Sequence, residues 1–166
     1  MDLSSFPFLT PSPTEKLLDF PSGTLWMKRD DLIHPDVSGN KWRKLKGFFR
    51  EVDPLRPVLT FGGAHSNHLR AAAFAFAHAS IKGIAVVRGE ELSPQHSPTL
   101  KYCEKMGMTL HFIPRSEYKV LREKDWLPTT RQLQEWGSES AQILPEGGAG
   151  RHAFEGCGEI WTELDH

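Results

Sequence analysis

Cysteine is scarce in this chain: Cys103 and Cys157 are the two in 166 residues. Such a pair provides neither a disulfide framework nor a metal-ligand spacing, and a reduced, cytoplasmic setting is the expectation that follows. An excess of one charge is also lacking. Lys plus Arg number 20 against 21 Asp plus Glu, for a net charge of −1. That balance leaves no footprint for nucleic acid or for an anionic membrane surface. Long apolar runs are missing too. Residues 69–79 form the richest stretch, which is too short to span a bilayer and is broken by Arg70 and His78. Prolines follow Leu3 and no cationic start leads into an apolar run, so a secretory signal is not expected. Among catalytic signatures, Ser66 does not sit in a Gly-x-Ser-x-Gly elbow, and no Walker loop or Rossmann fingerprint is present. His65 and His68 stand three apart without a third and fourth ligand at metal spacing, so no metal site is expected.

What is present is enough apolar residue for one core in a chain of this length. Residues 1–22 contain Pro7, Pro11, Pro13 and Pro21 and read as an extended arm. Residues 24–28 make a short strand. Residues 41–52 make a helix, with Trp42, Leu45, Phe48 and Phe49 at spacings of three and four on one face. A strand–helix rhythm then sets in. Strands are expected over 58–61, 84–88, 109–113 and 142–144. Helices are expected over 66–79, 98–106, within 126–136 and over 150–164, and residues 89–98 read as an exposed loop. Alternating elements with apolar strands imply a parallel sheet covered by helices. The small side chains of 71–79 suit a helix lying close to that sheet.

Two glycine turns organise this pattern. Ser38-Gly39-Asn40-Lys41-Trp42-Arg43-Lys44-Leu45 opens onto a helix, with Gly39 free to adopt a left-handed backbone and Ser38 or Asn40 available to cap. Gly62-Gly63-Ala64-His65-Ser66-Asn67-His68 follows an apolar strand and opens the Ala-rich helix. Helix starts of this kind receive anions through free N–H groups and the helix dipole. A lysine beside two such turns points to carbonyl chemistry on a phosphorylated cofactor. Residues 146–150, Glu-Gly-Gly-Ala-Gly, make a third glycine turn placed to line the substrate side of a cleft.

Taken with Lys28-Arg29-Asp30-Asp31-Leu32 and the Leu-Pro-Glu-Gly-Gly stretch at 144–148, these motifs, in order and separation, resemble the 1-aminocyclopropane-1-carboxylate deaminase and D-cysteine desulfhydrase family. The resemblance implies a pyridoxal-phosphate enzyme with the parallel three-layer sheet of the tryptophan synthase β-like kind, fold type II. It covers nearly all of this chain but only about the first half of the family pattern. On that mapping residues 1–47 belong to a large cofactor domain, 48–150 form a small βα domain, and 151–166 begin the return to the large domain.

The resemblance also assigns roles. Lys41 becomes the Schiff-base lysine and the chief catalytic residue; Lys44, one turn on, reaches the cofactor phosphate. Asn67 supports the ring oxygen of pyridoxal phosphate, while Ser66, also catalytic, and His68 approach a small amino-acid substrate together with Asn67. The surface-lysine reading of Lys44 stands as the lesser alternative, whereas Ser66, taken from the residues alone, reads equally as a helix cap. A nucleophilic lysine must lose its proton, and the helix start, Arg43 and Lys44 all disfavour its ammonium form. The implied reaction is elimination or ring-opening deamination of a small amino acid, and family members commonly form homodimers. His68 stands where deaminase-like members often carry Gln, which leans toward the desulfhydrase pattern. Tyr102 and Tyr118 match none of the family's substrate-side tyrosines. The alternative from another class is a truncated βα domain without catalysis that serves binding or assembly.

Overall fold

The computed structural model describes residues 7–164. An antiparallel hairpin of β1 (Thr14–Phe20) and β2 (Gly23–Lys28) comes first. Then come α1 (Asn40–Glu51), β3 (Val58–Gly62), α2 (Asn67–His78), β4 (Gly83–Arg88), α3 (Pro98–Lys105), β5 (Thr109–Ile113), α4 (Arg115–Glu123), α5 (Thr130–Glu135), β6 (Gln142–Leu144) and α6 (Arg151–Gly158). Short 3-10 turns at Asp30–Leu32, Pro94–His96, Glu146–Gly148 and Glu159–Glu163 join them. The expected α/β architecture is present.

β3 to β6 form one parallel sheet in the order β5-β4-β3-β6. Alternate residues serve opposite faces, as the two-residue period of a strand requires. Leu59, Phe61, Ile84 and Val86 pack with Tyr118 and Leu121 of α4 and with Trp136. Val58, Ala85 and Val87 pack on the other face with Leu45 and Phe49 of α1, Leu69, Ala72 and Phe76 of α2, and Leu100 of α3. Both faces are thus covered, and the strands read as near-continuous apolar runs. The buried alanines 71, 72, 73 and 75 let α2 lie close to the sheet.

Strand order reverses between β3 and β6: the chain winds outward through β4 and β5, then returns to the far side of β3. In an open parallel sheet, the crevice outside the carboxyl ends of the strands at such a reversal is where ligands bind. The loops placed there are 62–66 and 145–148. The boundary at 47/48 falls inside α1, and one apolar cluster runs from Ile33 through α1 into α2 and the sheet.

Three sequence expectations change. Within the arm expected over 1–22, Thr14–Phe20 is strand: β1 pairs with β2 from Thr14↔Lys28 to Phe20↔Gly23. Pro13 and Pro21 flank β1 rather than interrupt it, so no ladder hydrogen bond is lost. The part of the arm at 1–6 lies outside the described residues. α4 was not expected; it shows only two buried residues, Tyr118 and Leu121, amid charges. The closing helix ends as α-helix at Gly158 and continues as a 3-10 turn.

Candidate functional site

α1 is preceded by Gly39, whose φ of +63° is left-handed and favours glycine. Neither Ser38 nor Asn40 caps the helix through its side chain. The Asn40 side chain is turned to Lys41 instead, whose Nζ donates to Asn40 Oδ1 at 3.0 Å. Lys41 is half-buried. Burial first, then the Lys44 ammonium, holds its pKa below the ordinary lysine value, and a Cys157 charge opposes this in part. Arg43, expected to share in that effect, is otherwise engaged. Its buried guanidinium donates to both Asp30 oxygens at 2.6 Å and to both Glu163 oxygens at 3.0 Å.

The second turn is built around a close approach. A Cβ at Gly62 would stand 2.6 Å from Leu69 Cγ and 2.9 Å from Ser66 Oγ, so the chain can fold back here only through glycine. Ser66 caps α2, accepting from the Leu69 N–H at 3.2 Å. Asn67 is exposed on the first turn of α2 and lines a cavity of about 320 Å³ with Lys41, Ser38 and Asn40. Arg70 and Asp36, paired at 2.6 Å, close the same cavity. Ser66 looks the other way, into a cavity of about 880 Å³ over the carboxyl ends of the strands.

His68 is placed behind this surface. It is 3% exposed, and its Nε2 lies 2.8 Å from Thr60 Oγ1 on β3. Its Nδ1 is buried without a hydrogen-bond partner. Burial, then Lys41 and Lys44, pushes its pKa down to about 3, so the ring is neutral. Lys44 Nζ points to the Gly147 carbonyl at 3.4 Å. Gly148 has φ of +68°, and a Cβ there would sit 3.4 Å from the His68 ring and 3.6 Å from Lys44 Cβ. The third glycine turn thus meets both earlier motifs.

Lys41 and Asn67 are therefore brought together, with Lys44 and His68 adjoining through the 146–148 turn, while Ser66 faces a second cavity. Thr60, Tyr118, Arg122 and Glu146 were not singled out as site residues. Tyr118 Oη donates to Glu146 Oε1, and Arg122 to Glu146 Oε2, each at 2.8 Å. Position 146 carried a signal as the first residue of the third glycine turn; Thr60, inside an apolar strand, carried none. His65 is exposed and apart from His68, and among the described residues no group of three His, Cys, Asp or Glu is placed to hold a metal.

No family model matches the chain. Among curated proteins, it is 32% identical over 163 residues to the bifunctional D-cysteine desulfhydrase/1-aminocyclopropane-1-carboxylate deaminase, mitochondrial, of Arabidopsis thaliana. That match covers 94% of this chain and 41% of the relative. It is 34% identical over 96 residues to the D-cysteine desulfhydrase of Salmonella paratyphi A, covering 51% of this chain and 29% of that protein. A relative from Pyrococcus abyssi, 34% identical, is covered to 52%. The chain thus spans about half or less of the length of these relatives. Among solved structures, a hydrogen sulfide-producing enzyme from Fusobacterium nucleatum superposes with a TM-score of 0.54 over 80% of this chain and 42% of the other; at 12% identity this is a likeness of fold alone. By sequence, the chain is a relative of the 1-aminocyclopropane-1-carboxylate deaminase and D-cysteine desulfhydrase proteins across nearly its own length.

Proposed function

We propose that this chain is part of a pyridoxal-phosphate-dependent deaminase or lyase of small amino acids, of the 1-aminocyclopropane-1-carboxylate deaminase or D-cysteine desulfhydrase type. The observation that carries this reading is the shared cavity of Lys41 and Asn67, in which burial and Lys44 favour an unprotonated Lys41 amine. A fold of the type II kind is supported by the parallel sheet and its reversal at β3 and β6.

The residues fit such a cofactor. Lys41 is the attachment point for its aldehyde, Lys44 the cation for its phosphate, and Asn67 a donor for its ring oxygen. The His68 ring, the Lys44 side chain and the Gly148 backbone meet in one place, and the orphaned His68 Nδ1 there is a buried polar atom that a bound polar group would satisfy. Bound there, pyridoxal phosphate would supply an electron sink for negative charge at the substrate α-carbon. The chain's own residues do the rest. Lys41, as a free amine, would be the base that takes and returns a proton. The free N–H groups at the start of α2 would hold a carboxylate, with Asn67 on one side of that turn and Ser66 on the other. His68, neutral and anchored on Thr60, places no competing charge beside the lysines.

We read residues 1–47 and 151–166 as parts of the cofactor domain and 48–150 as the small domain. Homodimerisation and a cytoplasmic setting belong to the same proposal; Cys103 and Cys157, both free, suit a reducing compartment. Among the described residues no helix is long and apolar enough to cross a membrane. A second reading, a βα module for binding or assembly without turnover, is favoured by the apolar side chains that the hairpin leaves in solvent.

The two are separated by incubating the chain with pyridoxal phosphate, reducing with borohydride and mapping the label by mass spectrometry. The expected outcome is a visible absorption band, label on Lys41, and loss of both in Lys41→Ala. Label spread over surface lysines in the same proportion in Lys41→Ala would sink the catalytic reading.

A further inference from the structure

The cavity of about 880 Å³ on the Ser66 side of the turn has a charge unlike that of the molecule as a whole. Arg88 at the end of β4 and Arg115, Lys119 and Arg122 of α4 line it, against one lining carboxylate, Glu146. That carboxylate is occupied on both oxygens, by Tyr118 and Arg122. Arg115 is paired with Glu91, and Lys119 lies 3.8 Å from Glu123. Arg88 has no carboxylate partner among the described residues; its guanidinium stands over the Tyr118 ring, 5.6 Å from the centroid. α2 and α4 each begin just beyond the carboxyl end of a strand, β3 and β5, so both present their N-termini on this side of the sheet. In a chain of net charge −1, uncompensated cation is gathered into one concave site, where the walls focus its field.

We propose that this cavity is an anion subsite that receives the acidic end of a small ligand, with the Arg88 guanidinium as its principal contact. The planar fork of an arginine matches a carboxylate through two parallel hydrogen bonds, and the neighbouring Tyr118 ring limits where that fork can lie. The subsite adjoins Ser66 and the start of α2. A ligand reaching, within this one cavity, from the Arg88 fork to Ser66 at the α2 start would carry one acid group at each end, and the class it defines is an amino acid with a second carboxylate on its side chain. The naming of an amino acid rests on the function proposed above; the anion subsite does not.

The test uses the 166-residue chain and two probes of equal length, glutarate and its neutral diamide. Binding is followed through the arginine Nε–H resonances at low and at physiological salt. Glutarate should bind saturably and shift the Arg88 signal, the diamide at least tenfold more weakly. Arg88→Gln should weaken glutarate at least tenfold, while Arg131→Gln, an exposed cation paired with Glu135 elsewhere, should leave it unchanged. Lys41→Ala should also leave it unchanged, so that this site and the lysine chemistry stand or fall separately. The proposal is overturned by equal binding of the diamide, by an equal loss in Arg131→Gln, or by glutarate binding that disappears with Lys41.

Discussion

Lys41 and Lys44 are one turn apart on α1, and they add to burial, the larger cause, in keeping His68 neutral. A buried imidazole near two ammonium groups keeps its proton off until pH is well into the acid range. The unfolded chain, where histidine titrates near its ordinary 6.5, takes the proton first. Stability from His68 is therefore complete above pH 6.5 and drains as pH falls toward 3, by up to about 1.4 kcal/mol per pH unit. His68→Gln keeps a donor for Thr60 and removes the titration. Its urea midpoint should fall less steeply than the wild type's between pH 6.5 and 4. Parallel slopes for the two proteins would mean that His68 is not held neutral by the fold.

At the scale of elements, the contact of α1 with α6 is made through glycine. A Cβ on Gly156 would collide with the Arg43 carbonyl oxygen, and one on Gly47 with the His152 carbonyl oxygen. Neither obstacle is a flexible side chain, so a methyl group must push the helices apart. Gly→Ala in a free helix gains about 1 kcal/mol, but overpacking typically costs about 1–3 kcal/mol. Gly156→Ala should therefore lower the melting temperature, whereas Gly158→Ala, with nothing within 4 Å, should not. A Gly156→Ala protein as stable as the wild type would rule out this packing. The same elements mark what a sequence discloses. The helix over Asn40–Glu51 and the strands from β3 to β6 were legible because their apolar spacing and glycine turns are local signals. β1 was hidden because prolines near a strand look like prolines in one until pairing is known. α4 was hidden because two apolar residues make too thin a stripe. Lys41 and Asn67 could be paired from their motifs, but Thr60 with His68 and Tyr118 with Glu146 depend on strand order, which no single stretch encodes.

Over the whole molecule, one arginine gathers segments far apart in sequence. Arg43 is bound by Asp30 and Glu163, Lys28 meets Glu163 at 3.0 Å, and Ser12 donates to Asp30 at 2.7 Å. Removing one member of a buried ion cluster typically costs about 3–5 kcal/mol, because the partners are left uncompensated. Arg43→Ala should lose stability on that scale by chemical denaturation; a loss of only a few tenths would show the cluster to be solvated. The Arg43 guanidinium also holds the Asp30 and Glu163 carboxyls below their ordinary values of 3.8 and 4.5. Their contribution is whole above those values and disappears as pH falls through the lower, folded ones. The acid limb of the stability curve should accordingly be shallower in Arg43→Ala. An equally steep limb in the variant would place the acid sensitivity elsewhere.

The β1–β2 hairpin, whose Leu17, Leu18, Phe20, Leu25, Trp26 and Met27 are each 44–57% exposed, gains little from its own apolar contacts. An isolated hairpin is marginal in water. What fastens it is this same cluster, through Lys28 and Asp30 on one side and Glu163 on the other. The hairpin amides and those of the Glu159–Glu163 turn should consequently open together and show a common exchange lifetime, though more than a hundred residues separate them along the chain.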